Sequence, residues 1–393
     1  MRAALISMTG QPRAADGGAP LALAGKSLAR RQLDFALAAG CESVIVLGDG
    51  GSAEAIALRH AAEAAGARFL AIREGHGLLG AVRADDELLA LAPGLLPEAA
   101  AARDALGEGR AVLVLPAGAG VAAGFERIDL ERAWAGALVV AGAQVERLSD
   151  LPADIDPASA LVRIALQARV PEKRLLEDAL ADGSWALLGT GAQAIAAEQA
   201  WLKRHLRPAA PAAPSRWLAQ LALRPLASRL LAAARSLEAL VVAALAVLAG
   251  AVLAAWFGMP ALGLALVVPG VVLAHGASGL FRLKRAPYAA LGRRLTLPAL
   301  LRCAVDAALV ACAVLAIEGT VLHRLFAPLV LLGVLHAGRF ARRADWTALA
   351  GDRGLLAAAL AVAAAFGVAE PAMMALSLAL LALNVAQTGA HRG

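Results

Sequence analysis

The sequence predicts a chain in two parts: a soluble α/β head with a mostly parallel sheet, then an all-α domain that crosses a membrane six times. Three features lead there. The N-terminal half alternates short apolar runs with amphipathic stretches that end on glycine. The C-terminal part is a series of long apolar runs, and basic residues gather in alternate connections between those runs. Composition agrees: 60% of residues are hydrophobic and mean hydropathy is +0.67, where an ordinary soluble chain is about half apolar.

The head elements follow in order. Residues 3–8 form a short apolar run suited to a buried first strand. Residues 26–39 place Leu28, Leu33, Phe35 and Leu37 among Arg30, Arg31 and Asp34, the pattern of an amphipathic helix, and Gly40 closes it. Residues 43–47 (SVIVL) read as a buried strand, 53–65 as a helix ended by Gly66, and 68–72 as the next strand. Residues 111–115 (AVLVL) and 136–140 supply two more. Strand–helix–strand units of this length imply parallel strands covered on both faces. The expected head is 1–205.

A Pro/Ala linker (RPAAPAAP, 207–214) leads into a stretch where Arg216, Arg224, Arg229 and Arg235 alternate with leucines and Trp217. This reads as an amphipathic helix lying on the membrane surface, broken near Pro225, within a linking segment 206–235. The membrane domain is 236–393, with spans expected at 237–257, 259–275, 299–317, 320–338, 354–368 and 371–387. Connection 276–298 carries Arg282, Lys284, Arg285, Arg293 and Arg294; connection 339–353 carries Arg339, Arg342, Arg343 and Arg353. The opposite connections hold almost no charge, so the positive-inside rule places both termini in the cytoplasm, with the chain in the inner membrane.

Composition also excludes classes. Net charge is +6, but aromatics are only 4%. The basic residues border apolar spans, which suits an anionic membrane face and not a nucleic acid. Cys41, Cys303 and Cys312 are isolated, so neither a disulfide framework nor a zinc site is expected. Asp154 and Asp156 are metal-ligand candidates whose alternative is a helix cap, and Asp85 and Asp86 read as surface charge.

The segment PLALAGKSLARRQLDFALAAGCESVIVLG, with Gly25-Lys26-Ser27-Leu28, Ala39-Gly40 and the strand at 43–47, resembles the start of sugar-phosphate nucleotidyltransferases. The resemblance implies a nucleotidyltransferase-like, Rossmann-like head with a phosphate-cradling loop, for which Gly10, Arg13 and Lys26 are the candidates. The chemical positions depart from the family. Pro12 removes a loop N–H, no lysine follows at Gly18-Ala19-Pro20, and Pro93 or Pro116 stands where a metal-holding Asp belongs.

The segment HGASGLFRLKRAPYAALGRRLTLPALL, with Gly276, Gly279, Arg282, Leu283 and Lys284, resembles the signature of the CDP-alcohol phosphotransferases. These six-span enzymes carry D-x-x-D-G-x-x-A-R, then a G-x-x-x-D-x-x-x-D. Their carboxylates hold two divalent metals against a diphosphate. Here the four aspartate positions fall at His275, Ser278, Arg293 and Leu297, and the second glycine at Ala289. No metal site is expected from such a set, because Mg²⁺ requires oxygen anions. Taken together, the chain resembles a fused inositol-phosphate cytidylyltransferase/CDP-inositol phosphotransferase whose catalytic aspartates are replaced.

Three functions compete. The first is a catalytically silent relative in phospholipid or phospho-alcohol head-group metabolism. The second is an active transferase with an altered site, which would require Mg²⁺. The third is an unrelated transporter-like bundle. The first reading makes His275, Ser278, Arg282, Lys284, Arg285, Arg293 and Arg294 phosphate- or lipid-binding candidates. Its expected partners are membrane lipid, a CDP-alcohol or phosphate ester, and a second copy of the chain through the membrane domain. Asp306, inside the third span, is either a functional charge or one half of an Arg302–Asp306 pair within the helix.

Overall fold

A computed structural model describes residues 1–12, 20–152, 155–206, 213–233, 235–285, 296–338 and 347–389. The chain forms two compact units, one from Met1–Arg204 and the other from His205 onward.

The first unit contains strands β1 (Arg2–Ser7), β2 (Ala22–Leu23), β3 (Lys26–Ser27), β4 (Ser43–Leu47), β5 (Arg68–Ile72), β6 (Glu87–Leu91), β7 (Leu95–Pro97), β8 (Ala111–Pro116), β9 (Arg132–Ala141), β10 (Glu172–Arg174) and β11 (Trp185–Leu187). Its helices are α1 (Leu28–Ala38), α2 (Ala53–Ala64), α3 (Ala100–Gly107), α4 (Ala117–Ala122), α5 (Gly142–Val145), α6 (Pro157–Gln167), α7 (Asp178–Ala181) and α8 (Gly191–His205). Seven strands pair in the order β10-β8-β9-β6-β1-β4-β5. The sheet is mostly parallel, as expected, but β9 runs antiparallel to both β6 and β8.

The alternation along β1 and β4 explains why the sheet is covered on both faces. Leu5, Ile45 and Leu47 enter one apolar cluster, and Ile6, Val44 and Val46 enter another with α1 and α2 residues Leu33 and Leu58. Phe35 meets Trp185 edge-on at 5.8 Å between ring centroids. Full burial of a ring of that size contributes about 1.5–3 kcal/mol. Deeper still, Arg31 pairs with Glu98 and stacks on Trp201, whose indole N–H donates to Glu98 at 2.9 Å. Burial pushes the Arg31 guanidinium below its usual range, and Glu98 opposes that shift. This network fixes α8 to α1 and the residue after β7.

The second unit contains α9 (Pro214–Leu223), α10 (Ala227–Ala232), α11 (Ser236–Trp256), α12 (Pro260–Arg285), α13 (Leu297–Leu315), α14 (Val321–Ala337), α15 (Thr347–Ala350), α16 (Arg353–Ala365) and α17 (Ala369–Gly389). Among the described residues, four helices (α11, α12, α13 and α17) are long and apolar enough to cross a membrane. The shorter apolar helices α14 and α16 fall at two further expected spans. Gly258, Gly319 and Gly367 take positive φ between successive helices, the left-handed stop that lets one helix turn directly into the next. Small residues bring α11 and α12 close: a Cβ on Gly270 would lie 2.6 Å from Leu248.

One expected boundary is corrected. The second apolar run does not end at 275; the helix continues to Arg285. Gly276 and Gly279 do not break it, because they sit on the side facing Leu223 of α9, and a Cβ on Gly279 would lie 3.3 Å from that leucine. Beyond them Leu280, Arg282, Leu283, Lys284 and Arg285 are good helix formers.

Candidate functional site

The extension of α12 creates the site. His275, Ser278 and Arg282 are spaced i, i+3 and i+7, so they share one helix face. All three line a cleft of about 150 Å³ in the second unit, together with Arg216 of α9, Arg302 of α13 and Arg353 of α16. The remaining walls are apolar, among them Val271, Leu301 and Val305. No carboxylate lines the cleft among the described residues.

Two buried aspartates behind the wall hold these cations in place. Asp352 is the N-cap of α16, accepting from Gly354 N at 2.9 Å and Leu355 N at 3.0 Å. It also accepts from Ser215 N at 2.9 Å and from the Ser215 hydroxyl. One carboxylate therefore ties the start of α9 to the start of α16, and the next residue on each, Arg216 and Arg353, lines the cleft. Asp306 receives Arg353 Nε at 3.1 Å and lies 3.5 Å from His336 Nε2. The alternative intrahelical partner, Arg302, lines the cleft instead.

Arg353 has one arm left over. Its Nε is on Asp306 and its Nη1 donates to Gly351 O at 2.8 Å. Its Nη2 is buried with no hydrogen-bond partner among the described residues. A buried unsatisfied donor costs about 1–3 kcal/mol.

The other sequence candidates divide. Lys284 lies outside the cleft: its Nζ donates to Ala233 O and Ser236 Oγ, each at 2.9 Å, joining the end of α10 to the start of α11. Arg285 stacks on Phe281 at 5.0 Å. Arg293 and Arg294 lie outside the described residues. Arg216, Arg302 and Arg353 were not singled out as ligands from sequence. The available signal was basic residues at the ends of apolar helices on the side that also carries the basic connections.

In the head, Gly10 takes φ +77 at the end of β1, next to Pro93. Arg13 lies outside the described residues. Lys26 pairs with Asp34 at 2.7 Å. The GKSL segment has local roles. Gly25 occupies a left-handed turn position between β2 and β3, and Ser27 caps α1 by accepting from Arg30 N at 3.2 Å. The Gln11 side chain of this loop is committed inside the fold, since its Oε1 accepts from Gly94 N at 3.1 Å. Gln11 Nε2 in turn donates to Ser7 O at 2.9 Å and Gln32 Oε1 at 3.2 Å.

Asp156 caps α6 through Ser159 N at 2.9 Å, and Asp154 lies outside the described residues. Asp86 is a correction, because it is buried. It accepts from Arg83 N at 3.0 Å, and that bond holds its carboxyl below the ordinary range. The bond closes the tight turn before β6.

The chain matches no protein-family model and no curated protein. Imidazole, hydroxyl and four guanidinium groups do not fit a pair of Mg²⁺ ions, which demand several oxygen anions. Among the described residues no three His, Cys, Asp or Glu side chains converge as a metal site would need. The donors fit a phosphate: guanidinium forks bind its oxygens in pairs, and Ser278 and His275 offer further hydrogen bonds.

Proposed function

We propose that this is a membrane protein of the CDP-alcohol phosphotransferase/nucleotidyltransferase type that binds a phosphate ester or anionic lipid head group directly, without metal, in the arginine-lined cleft of its helical unit. In this reading α11, α12, α13, α14, α16 and α17 are six crossings of the inner membrane, with α14 and α16 as short spans. Both termini and the cleft face the cytoplasm, and the chain serves phospholipid or phospho-alcohol head-group metabolism as a catalytically silent relative. The observation that carries the reading is the convergence of Arg216, Arg282, Arg302 and Arg353 on one cleft that no carboxylate lines among the described residues.

The test uses the full chain in lipid nanodiscs. Phosphatidic acid and CDP-alcohols are titrated with and without EDTA, and CMP release is followed with Mg²⁺ present. Chelator-insensitive binding that weakens ~10-fold or more in Arg302→Ala is expected, with no CMP released. Mg²⁺-dependent CMP release that vanishes on altering His275 would establish an active transferase and overturn the reading.

A further inference from the structure

Of the four arginines that line the cleft, one is already neutralised: Arg353 gives its Nε to the Asp306 carboxylate at 3.1 Å. The other three are not. Among the described residues Arg216, Arg282 and Arg302 make no hydrogen bond or ion pair with the protein. Asp352, behind the wall, is bonded to Ser215 and to the α16 amides, and to no arginine there. Arg282 is repelled by both Arg216 and Arg302. Three helices, α9, α12 and α13, thus hold like charges together around one small space, and nothing in the lining offsets their repulsion.

The size of the cleft limits what can answer that charge. At about 150 Å³ it has half or less of the roughly 300–1,000 Å³ that drug-sized ligands fill. A nucleotide does not fit within it, whereas a single tetrahedral phosphate does.

The number of free guanidinium forks limits it further. A fork binds two oxygens of a phosphate at once. A phosphomonoester presents three terminal oxygens, hence three oxygen–oxygen edges, and carries about −1.5 to −2 charge near neutral pH. A phosphodiester presents two terminal oxygens, a single edge and one negative charge. Three uncommitted forks on three helices match the monoester in both number and charge. Ser278, buried on the same face of α12 as Arg282, adds a hydroxyl donor.

Resting on the phosphate-binding reading above, we infer that the cleft selects a terminal phosphomonoester over a phosphodiester, with Arg216, Arg282 and Arg302 taking its three free oxygens. A diester head group, even an anionic one, leaves two of the three forks without an oxygen edge. The same terminal group is carried by phosphatidic acid in a membrane and by soluble polyol phosphates.

The experiment is calorimetry on the full chain in detergent micelles with EDTA present, using two matched pairs of probes. Dioctanoyl phosphatidic acid is compared with dioctanoyl phosphatidylmethanol, the same lipid with one methyl on the phosphate. Glycerol 3-phosphate is compared with its methyl phosphodiester. The monoester is expected to bind at least ~10-fold more tightly than its methyl diester, as loss of paired charged hydrogen bonds implies. That preference in the lipid pair alone supports the inference with a lipid as ligand; in both pairs it supports the inference with the soluble head sufficing. Arg302→Lys and Arg282→Lys each keep the charge and lose the fork, and should each cut the preference to ~3-fold or less.

Equal affinities within both pairs would overturn the monoester inference and leave the cleft reading intact. A preference that survives undiminished in both lysine variants would overturn it likewise, by showing that the forks do not select. The comparison within the parent decides even if a lysine variant misfolds. Failure of all four probes to bind the parent would instead overturn the cleft reading on which the inference rests.

Discussion

Replacing Asp352 with alanine tests whether the cleft is held open by its supporting carboxylate. The substitution removes the N-cap of α16 and both bonds to Ser215. Loss of an Asp cap costs about 1 kcal/mol. Each hydrogen bond to a charged acceptor contributes about 1.5 kcal/mol at the low end. Water reaching the vacated site recovers part of the sum, so the expected loss is about 2–4 kcal/mol, read as a shift in reversible unfolding of the full chain. Asp352→Asn keeps one acceptor oxygen and should lose about half as much. Releasing α9 from α16 also frees Arg216, so phosphate affinity should fall ~10-fold, equivalent to about 1.4 kcal/mol. Gly354→Ala is an independent wedge at the same junction, since its Cβ would lie 2.9 Å from Ser215 Cβ. If Asp352→Ala is destabilised but binds phosphate as tightly as the parent, the carboxylate does not position Arg216. If it unfolds with the parent, the junction carries no energy and the reasoning fails earlier.

Two further outcomes are expected. Reporter fusions after residues 200, 290 and 346 should report the cytoplasm and those near 258, 319 and 369 the opposite side; a periplasmic signal at 290 would break the six-crossing arrangement. In the head, the Arg132 side chain and the Glu131 N–H hold the Asp129 carboxyl down to about 2. Its folded value lies below the ordinary carboxylate value of about 3.9. Its contribution is therefore complete above about pH 4 and lost as pH falls toward 2. Asp129→Asn should melt lower than the parent at neutral pH and converge with it in acid, as followed by circular dichroism; a constant gap across that window would show that the charge is not what stabilises the turn.

Much of the head was legible because its strands announce themselves. SVIVL at 43–47 and the run at 68–72 have the expected bounds, since β-branched or apolar runs between glycines have few alternatives. The direction of β9 was not legible, because a period of two does not distinguish parallel from antiparallel. Its full length was also hidden: only 136–140 was apparent within Arg132–Ala141, where Gly136 at φ +81 interrupts the pattern. In the helical unit, the apolar runs gave the helices, but HGASGLFRLKR looked like the start of a loop because glycine and charge both lower apparent helicity. Only packing against Leu223 shows why those glycines belong inside α12. His275, Ser278 and Arg282 were found from a motif position by position. Arg216, Arg302 and Arg353 come from three other helices, and their convergence is a property of tertiary packing that no local pattern encodes.

A cleft lined by guanidinium groups has the opposite electrostatics to one lined by carboxylates. At an effective dielectric near 20, a divalent cation about 6 Å from one guanidinium is repelled by about 5 kcal/mol before solvation is counted. Four such groups line the cleft, and no carboxylate there opposes them among the described residues. Asp306 and Asp352 stand behind the wall with their oxygens already bonded to Arg353 and to Ser215 and the α16 amides. A phosphate dianion at the same place experiences the same gross term with opposite sign. Two-metal catalysis needs the cations to be mobile ions that can bridge attacking and leaving oxygens. Guanidinium groups fixed on four helices can bind and orient a phosphate, but they cannot lower the pKa of an attacking hydroxyl as a bound metal does. On the proposed reading, the guanidinium lining that suits the cleft to holding a phosphate therefore leaves it poorly equipped to transfer one.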